Sequence, residues 1–250
     1  MGIKTGITLY TDGTPNGLKP TILLAELGLE IKLHPINIFK HEQKEPWFLA
    51  VNPNGRIPAL IDEDENGKKI ILWESGSMLL YLVARYDKDY KVSYPYNSPE
   101  YWETLMWQMS GVGPMQGQAN HFARMAPEKH EYAISRYLTE TRRLYRVLDT
   151  HLAKSKSGYI AGYRVTVADI ALWNCLAAYK YSGLSSIDEF PHVQKWLYEL
   201  LKRPGFEEGR NAPQPHVYLE LNKLSDEELD ARDLAAGGWI QEGMRRDAEA

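Results

Sequence analysis

The stretch Ile3–Phe39, IKTGITLYTDGTPNGLKPTILLAELGLEIKLHPINIF, decides how the chain begins to fold. Ile3 to Thr11 alternates apolar and polar residues, the period of a strand with one face buried. Gly13-Thr-Pro-Asn-Gly17 packs turn-forming residues together and stops that strand. From Leu18 to Leu27 the spacing of Ile22, Leu23 and Leu27 is that of a helix, and Gly28 ends it. Glu30 to Phe39 then reads as extended again. Strand, helix and strand in this order make a βαβ unit, whose two strands lie parallel in one sheet.

Outward from this unit, Asn52-Pro-Asn-Gly-Arg-Ile-Pro58 is irregular. It leads into two short apolar runs, Ala59–Asp62 and Lys69–Trp73, joined by the turn Asp64-Glu-Asn-Gly67 as a hairpin. Met78, Leu79, Leu82, Val83 and Tyr86 then follow helical spacing behind Ser75. The order is β-α-β, an irregular segment, then β-β-α. Asp87 to Pro99, rich in Asp, Lys, Tyr, Pro and Ser, reads as a linker, and beyond it only helical periodicities occur. Helices are predicted over about 99–110, 114–125, 128–153, 166–182 and 193–202. Thr166-Val-Ala-Asp169 has the form of a capping box with Asp in place of Glu, and the apolar helix behind it belongs in a core. Ser225 opens a tail helix with the stripe Leu229, Ala236, Ile240 and Met244, which Gly237-Gly238 weakens at its middle. The chain thus divides into an α/β domain (1–88), a linker (89–98), an all-helical domain (99–212) and a C-terminal tail with an extra helix (213–250).

Composition narrows the chemistry. The 250 residues are 44% hydrophobic and carry a net charge of −4 from well-mixed acidic and basic side chains. Nothing in that balance recruits nucleic acid or an anionic membrane. No run of apolar residues reaches membrane-spanning length, and the N-terminus lacks a signal-peptide pattern, so the protein is expected in the cytoplasm. Gly6 stands where a myristoylation signal needs Ser or Thr. The one cysteine, Cys175, lies in the apolar run Ile170–Ala178 and reads as a core residue; the seven histidines form no cluster with metal-ligand spacing. No metal is expected, and any thiol chemistry must draw its thiol from a ligand.

Glu74-Ser75 begins a helix, where unpaired backbone N–H groups and partial positive charge favour a carboxylate. With the Ser75 hydroxyl beside those N–H groups and the Glu74 carboxylate beside an ammonium, the pair suits the zwitterionic end of an amino acid.

Together the order of elements and the residues TPNG (14–17), VNPNGRIPAL (51–60), WESG (73–76) and TVADIAL (166–172) resemble the cytosolic glutathione transferases over nearly the whole chain to about Pro213. Within that superfamily Thr14–Gly17 and the segment SGVGPMQGQ (110–118) most resemble fungal proteins similar to the yeast nitrogen-catabolite regulator and the bacterial disulfide-reducing nu-type transferases. The regulator's Asn/Gln-rich N-terminal extension is missing here. This resemblance implies a thioredoxin-like N-terminal domain, an all-α helical-bundle C-terminal domain and a homodimer. It implies glutathione as co-substrate: Glu74 and Ser75 hold its γ-glutamyl end, and Ile57 pairs with its cysteinyl backbone ahead of a cis Pro58. Gln43 faces the glycyl carboxylate, with Arg56 and Lys44 as cationic neighbours.

A threonine hydroxyl is far too weak an acid to replace the nucleophilic cysteine of omega-type relatives, so Thr14 and Asn16 are assigned to stabilising the bound thiolate. Tyr10 stands too early on its strand for that role and reads as packing. A second-substrate pocket is expected between the domains near Trp102, Met106, Met109, Met115, His121, Phe122 and Met125, although Met and aromatic residues at this spacing equally suit a core. Three functions follow. One is a glutathione transferase that conjugates electrophiles in detoxification, or reduces disulfides and peroxides. Another is a carbon–sulfur bond-forming enzyme of fungal secondary metabolism, and the third a non-catalytic glutathione-binding module.

Overall fold

The computed structural model describes residues 3–95, 98 and 100–249; the side chains of 100, 101, 233–236, 247 and 249 lie outside that description, as do Met1 and Gly2. The βαβ unit forms as its pattern requires, from β1 (Ile3–Thr11), α1 (Leu18–Leu27) and β2 (Leu29–Pro35). The second strand stops at Pro35, short of the predicted Phe39. Past it, the Asn37 side chain accepts a hydrogen bond from the Lys40 N–H and turns Ile38–Lys40 into a 3₁₀ segment. A second 3₁₀ turn, Glu42–Lys44, and the short helix α2 (Pro46–Leu49) complete the irregular stretch. β3 (Ala59–Glu63) and β4 (Lys69–Trp73) pair as a hairpin, and α3 (Ser75–Tyr86) follows.

The four strands lie in the order β2-β1-β3-β4, with β1 parallel to β2 and antiparallel to β3. This mixed sheet has the thioredoxin-like arrangement. α1 is apolar on nearly every face and is buried nearly all round, from Leu18 through Leu24 and again at Leu27.

The rest of the chain is helical: α4 (Glu100–Trp107), α5 (Gly113–Asn120), α6 (Glu131–Lys154), α7 (Val167–Leu176), α8 (Pro191–Leu200), α9 (Pro204–Arg210), α10 (Tyr218–Leu221) and α11 (Asp226–Glu249). The two helices predicted over 99–110 and 114–125 are one continuous path. π-helical turns at Gln108–Val112 and His121–Met125 link α4, α5 and the approach to α6. Pro114 has no N–H to return to the preceding turn, and the wider turn ahead of it keeps the path helical.

α7 is the buried axis of the helical half, every residue of it buried. Its capping box closes as predicted: the Thr166 hydroxyl accepts from the Ala168 N–H, and Asp169 accepts from the Thr166 N–H. One hydrophobic core runs from Leu9, Ile22 and Leu79 in the sheet half to Leu105, Leu144 and Trp173 in the helical half, so the halves are packed against each other. The tail helix is continuous through Gly237-Gly238. Its Leu229 is fully buried, and the Trp239 indole donates to the Ile38 carbonyl at 2.6 Å. Ala236 of the expected stripe falls among the side chains outside the description.

Candidate functional site

Where the start of α1, the loop before β3, the start of α3 and the first π turn meet, they enclose a cleft of about 270 Å³. Its walls carry Asn16, Lys19, Asn54, Arg56, Ile57, Pro58, Glu74, Ser75, Gln108 and Met109. Each wall has a local cause.

The turn at Thr14–Gly17 is drawn tight by two hydroxyls. The Gly17 N–H donates to Thr14 Oγ1 at 3.1 Å, and Thr11 Oγ1 donates to the Gly17 carbonyl at 3.0 Å. Only glycine fits at 17, since a Cβ there would stand 2.2 Å from the Asp12 carbonyl oxygen. The turn leaves Asn16 exposed on the cleft wall, while the Thr14 hydroxyl is spent inside it. On the opposite side Asn52 is buried and shapes its own loop: its amide donates to the Arg56 carbonyl at 2.6 Å and its Oδ1 accepts from the Asn54 N–H at 3.0 Å. The Ile57–Pro58 peptide is cis, as the resemblance implied.

Glu74 precedes α3 with φ 74° and ψ 112°, a backbone conformation that a side chain adopts at a cost, and its side chain makes no capping hydrogen bond. The unpaired N–H groups of the first turn therefore open toward the cleft rather than toward a cap. Ser75 is buried. Gly76 lets the first π turn close down on it, since a Cβ at 76 would be 3.0 Å from Met109 Cγ.

Beneath Ser75 lies a residue that the sequence reading passed over. Lys19 is fully buried, and its ammonium donates to Ser75 Oγ at 3.2 Å, Gln108 Oε1 at 2.8 Å and Met109 Sδ at 3.4 Å. Burial pushes its pKa down, and nearby Cys175 and Glu74 oppose that shift. Gln108 in turn donates to Cys175 Sγ at 3.4 Å. Cys175 itself is buried away from the cleft wall, and burial pushes its thiol up. The sequence offered no direct signal for Lys19, since a lone lysine in a helix ordinarily takes the solvent-facing side.

The remaining expected residues divide. Met109 reaches the cleft; Trp102, Met106, His121 and Phe122 do not line it. Trp102 packs against the core, Met106 is 46% exposed, and Phe122 stacks on Tyr137 with ring centroids 5.6 Å apart, with His121 at its edge. Gln43 is buried in the second 3₁₀ turn, with its Oε1 unpaired, and is not part of the cleft wall; Arg56 is. Tyr10 packs among His34, Trp47 and Phe48. Among the described residues no cluster of His, Cys, Asp and Glu could hold a metal, and no helix is long and apolar enough to cross a membrane.

Chemically, the cleft offers one end suited to a zwitterion, a cis-proline edge for an extended backbone, and a carboxamide at the start of α1. Comparison with known proteins points the same way. The family model for the glutathione S-transferase N-terminal domain matches residues 14–85, and that for the C-terminal domain matches residues 101–204. The glutathione S-transferase-like protein tpcF of Aspergillus fumigatus is 37% identical over 218 residues, 81% of this chain and 94% of its own length. The disulfide-bond oxidoreductase YghU of Escherichia coli is 36% identical over 254 residues, 94% of this chain and 86% of its own. Among solved structures, a glutathione transferase homologue from Lodderomyces elongisporus with two glutathione molecules per subunit superposes with a TM-score of 0.77 at 42% identity, over 83% of this chain and 99% of its own. The transferase URE2P6 of Phanerochaete chrysosporium in complex with oxidised glutathione gives 0.75 at 41% identity, over 82% and 93%.

Proposed function

Since the chain belongs to the glutathione S-transferase family, we propose that its interdomain cleft holds glutathione and that the tripeptide's own thiol is the reacting group in conjugation and in disulfide exchange. One observation carries this reading: the single cysteine is buried in α7 and lines no part of the cleft, so no protein thiol is available there.

In this reading the γ-glutamyl carboxylate lies at the N-terminus of α3 against Ser75, and its ammonium pairs with Glu74. The cysteinyl backbone runs along Ile57 beside cis Pro58, and Arg56 serves the glycyl end. The thiol then points toward Asn16, whose amide, with the start of α1, stabilises the thiolate against an ordinary thiol pKa of about 8.5. Thr14 contributes by holding the turn that presents Asn16. Against a disulfide, the thiolate attacks one sulfur, a glutathione mixed disulfide forms, and the second sulfur leaves as a thiolate that takes a proton from solvent. Against an electrophile the same thiolate forms a carbon–sulfur bond and expels the leaving group. Gly113 and Pro114, on the cleft wall beyond Met109, bound the space left for the second substrate.

A homodimer belongs to this proposal. Ile71 and Trp73, 46% and 41% exposed on the edge strand β4, present an apolar strip that a second copy would cover. Sedimentation at one mass of 28.7 kDa would contradict it.

Glutathione-dependent turnover decides between the chemistries. Purified protein is given an aromatic halide in one assay and a small mixed disulfide in another. Turnover of either supports the proposal, and turnover of the disulfide alone would assign the enzyme to thiol–disulfide exchange. No turnover of either, with glutathione still bound, would leave a carbon–sulfur bond-forming enzyme with a substrate of its own or a binding module.

A further inference from the structure

Lys19 is a buried cation on which the Glu74 carboxylate acts through space and not through a hydrogen bond. Its three hydrogen-bond acceptors are a hydroxyl, a carboxamide and a thioether, and among the described residues no carboxylate forms an ion pair with it. A charge removed from water is retained at low cost only when an opposite charge or a full set of hydrogen bonds meets it. The nearest place where a negative charge can arrive is the N-terminus of α3, one hydrogen bond away through Ser75.

The ammonium has only donors, so Ser75 Oγ must accept from it. The Ser75 hydroxyl proton is thereby directed away from Lys19, and its alternative acceptor, Met109 Sδ, is distant at 3.9 Å. An arriving carboxylate is a far better acceptor than a thioether.

We propose that Lys19 is the positioning residue for the carboxylate end of the ligand, fixing the Ser75 hydroxyl as a donor and supplying from behind it the positive charge that the γ-glutamyl carboxylate neutralises. This inference rests on the glutathione reading above. Gln108 extends the arrangement, since its Oε1 accepts from Lys19 while its Nε2 donates to Cys175, so the helical half of the molecule holds the ammonium in place. The first π turn, which brings Gln108 and Met109 to the same ammonium, is the device that makes this possible.

The test is calorimetric titration of the full chain with two ligands: glutathione, and its analogue 4-aminobutanoyl-cysteinylglycine, which lacks only the γ-glutamyl α-carboxylate. The wild-type protein is expected to prefer glutathione by more than about tenfold, the size of one charge-assisted hydrogen bond. Lys19→Met, similar in length and apolar, is expected to lose most of that preference while binding the analogue within about threefold of wild type. Lys19→Gln keeps a donor for Ser75 without the charge and carries the same comparison where the methionine variant does not fold. An equal loss of affinity for both ligands, or a preference left intact in the variant, overturns the role of Lys19 and leaves glutathione binding standing. A wild-type protein that binds neither ligand overturns the glutathione reading and this inference together.

Discussion

Two helices of this protein begin with the same chemistry, a hydroxyl beside a carboxylate, and use it in opposite ways. At the start of α7, Thr166 and Asp169 satisfy each other and their own backbone. Asp169 further accepts from the Ile160 N–H at 3.1 Å and the Trp196 indole at 2.9 Å, with no exposure to solvent. Burial raises its carboxyl pKa, against the pull of four hydrogen-bond donors. At the start of α3, Glu74 makes no cap, holds an unfavourable backbone angle, and leaves the first turn open to a cleft. A closed terminus stabilises a core; an open one awaits a ligand. The same residue types thus read as structure or as function according to whether their hydrogen bonds are completed inside the chain.

The largest expected effect lies at the closed terminus. Asp169→Ala removes a buried acceptor from four donors and is expected to cost about 3 kcal/mol of stability in urea denaturation, with glutathione affinity of the folded fraction unchanged. A loss of affinity without a loss of stability would break the comparison. Next is the start of α1, whose N-cap residue, Gly17, has no side chain to cap the helix and where Asn16 stands on the cleft wall. Asn16→Ala should lower turnover about tenfold or more and raise the pKa of the bound thiol, read from the ultraviolet absorbance of the thiolate, with affinity within about threefold. Normal turnover would mean that the thiolate is stabilised elsewhere.

The smallest effect is the most specific. Glu74→Gly relieves the positive φ and is expected to leave stability unchanged or raise it by about 1 kcal/mol, while glutathione binding weakens for want of a partner for its ammonium. Destabilisation by this variant would show that Glu74 is a structural residue after all.

Most of the fold was legible because its signals are local. The βαβ unit, the hairpin around Gly67, the cap at Thr166 and the helical remainder each rest on a short pattern, and Pro58 and Glu74-Ser75 marked the cleft. What the sequence withheld depends on which distant residues meet. Lys19 would sit on the wet face of an ordinary helix, and only the packing of α1 against both halves makes it an interior cation. Gln108 and Met109 reach it through a π turn that helical periodicity does not reveal, and Gln43 and Phe122 stand outside the cleft wall for the same reason: their neighbours are set by loop paths and helix ends. The 3₁₀ turns after Pro35 were masked by an extended pattern that Asn37 interrupts.

The most direct test of the open terminus is calorimetric titration of glutathione into wild-type protein and the Ser75→Ala variant. Loss of a hydrogen bond to a charged group predicts a decrease of about 1–3 kcal/mol in binding free energy with the folded state intact. Equal affinity in the two proteins would contradict the account, because the ligand would then be held without the hydroxyl that the start of α3 presents to it.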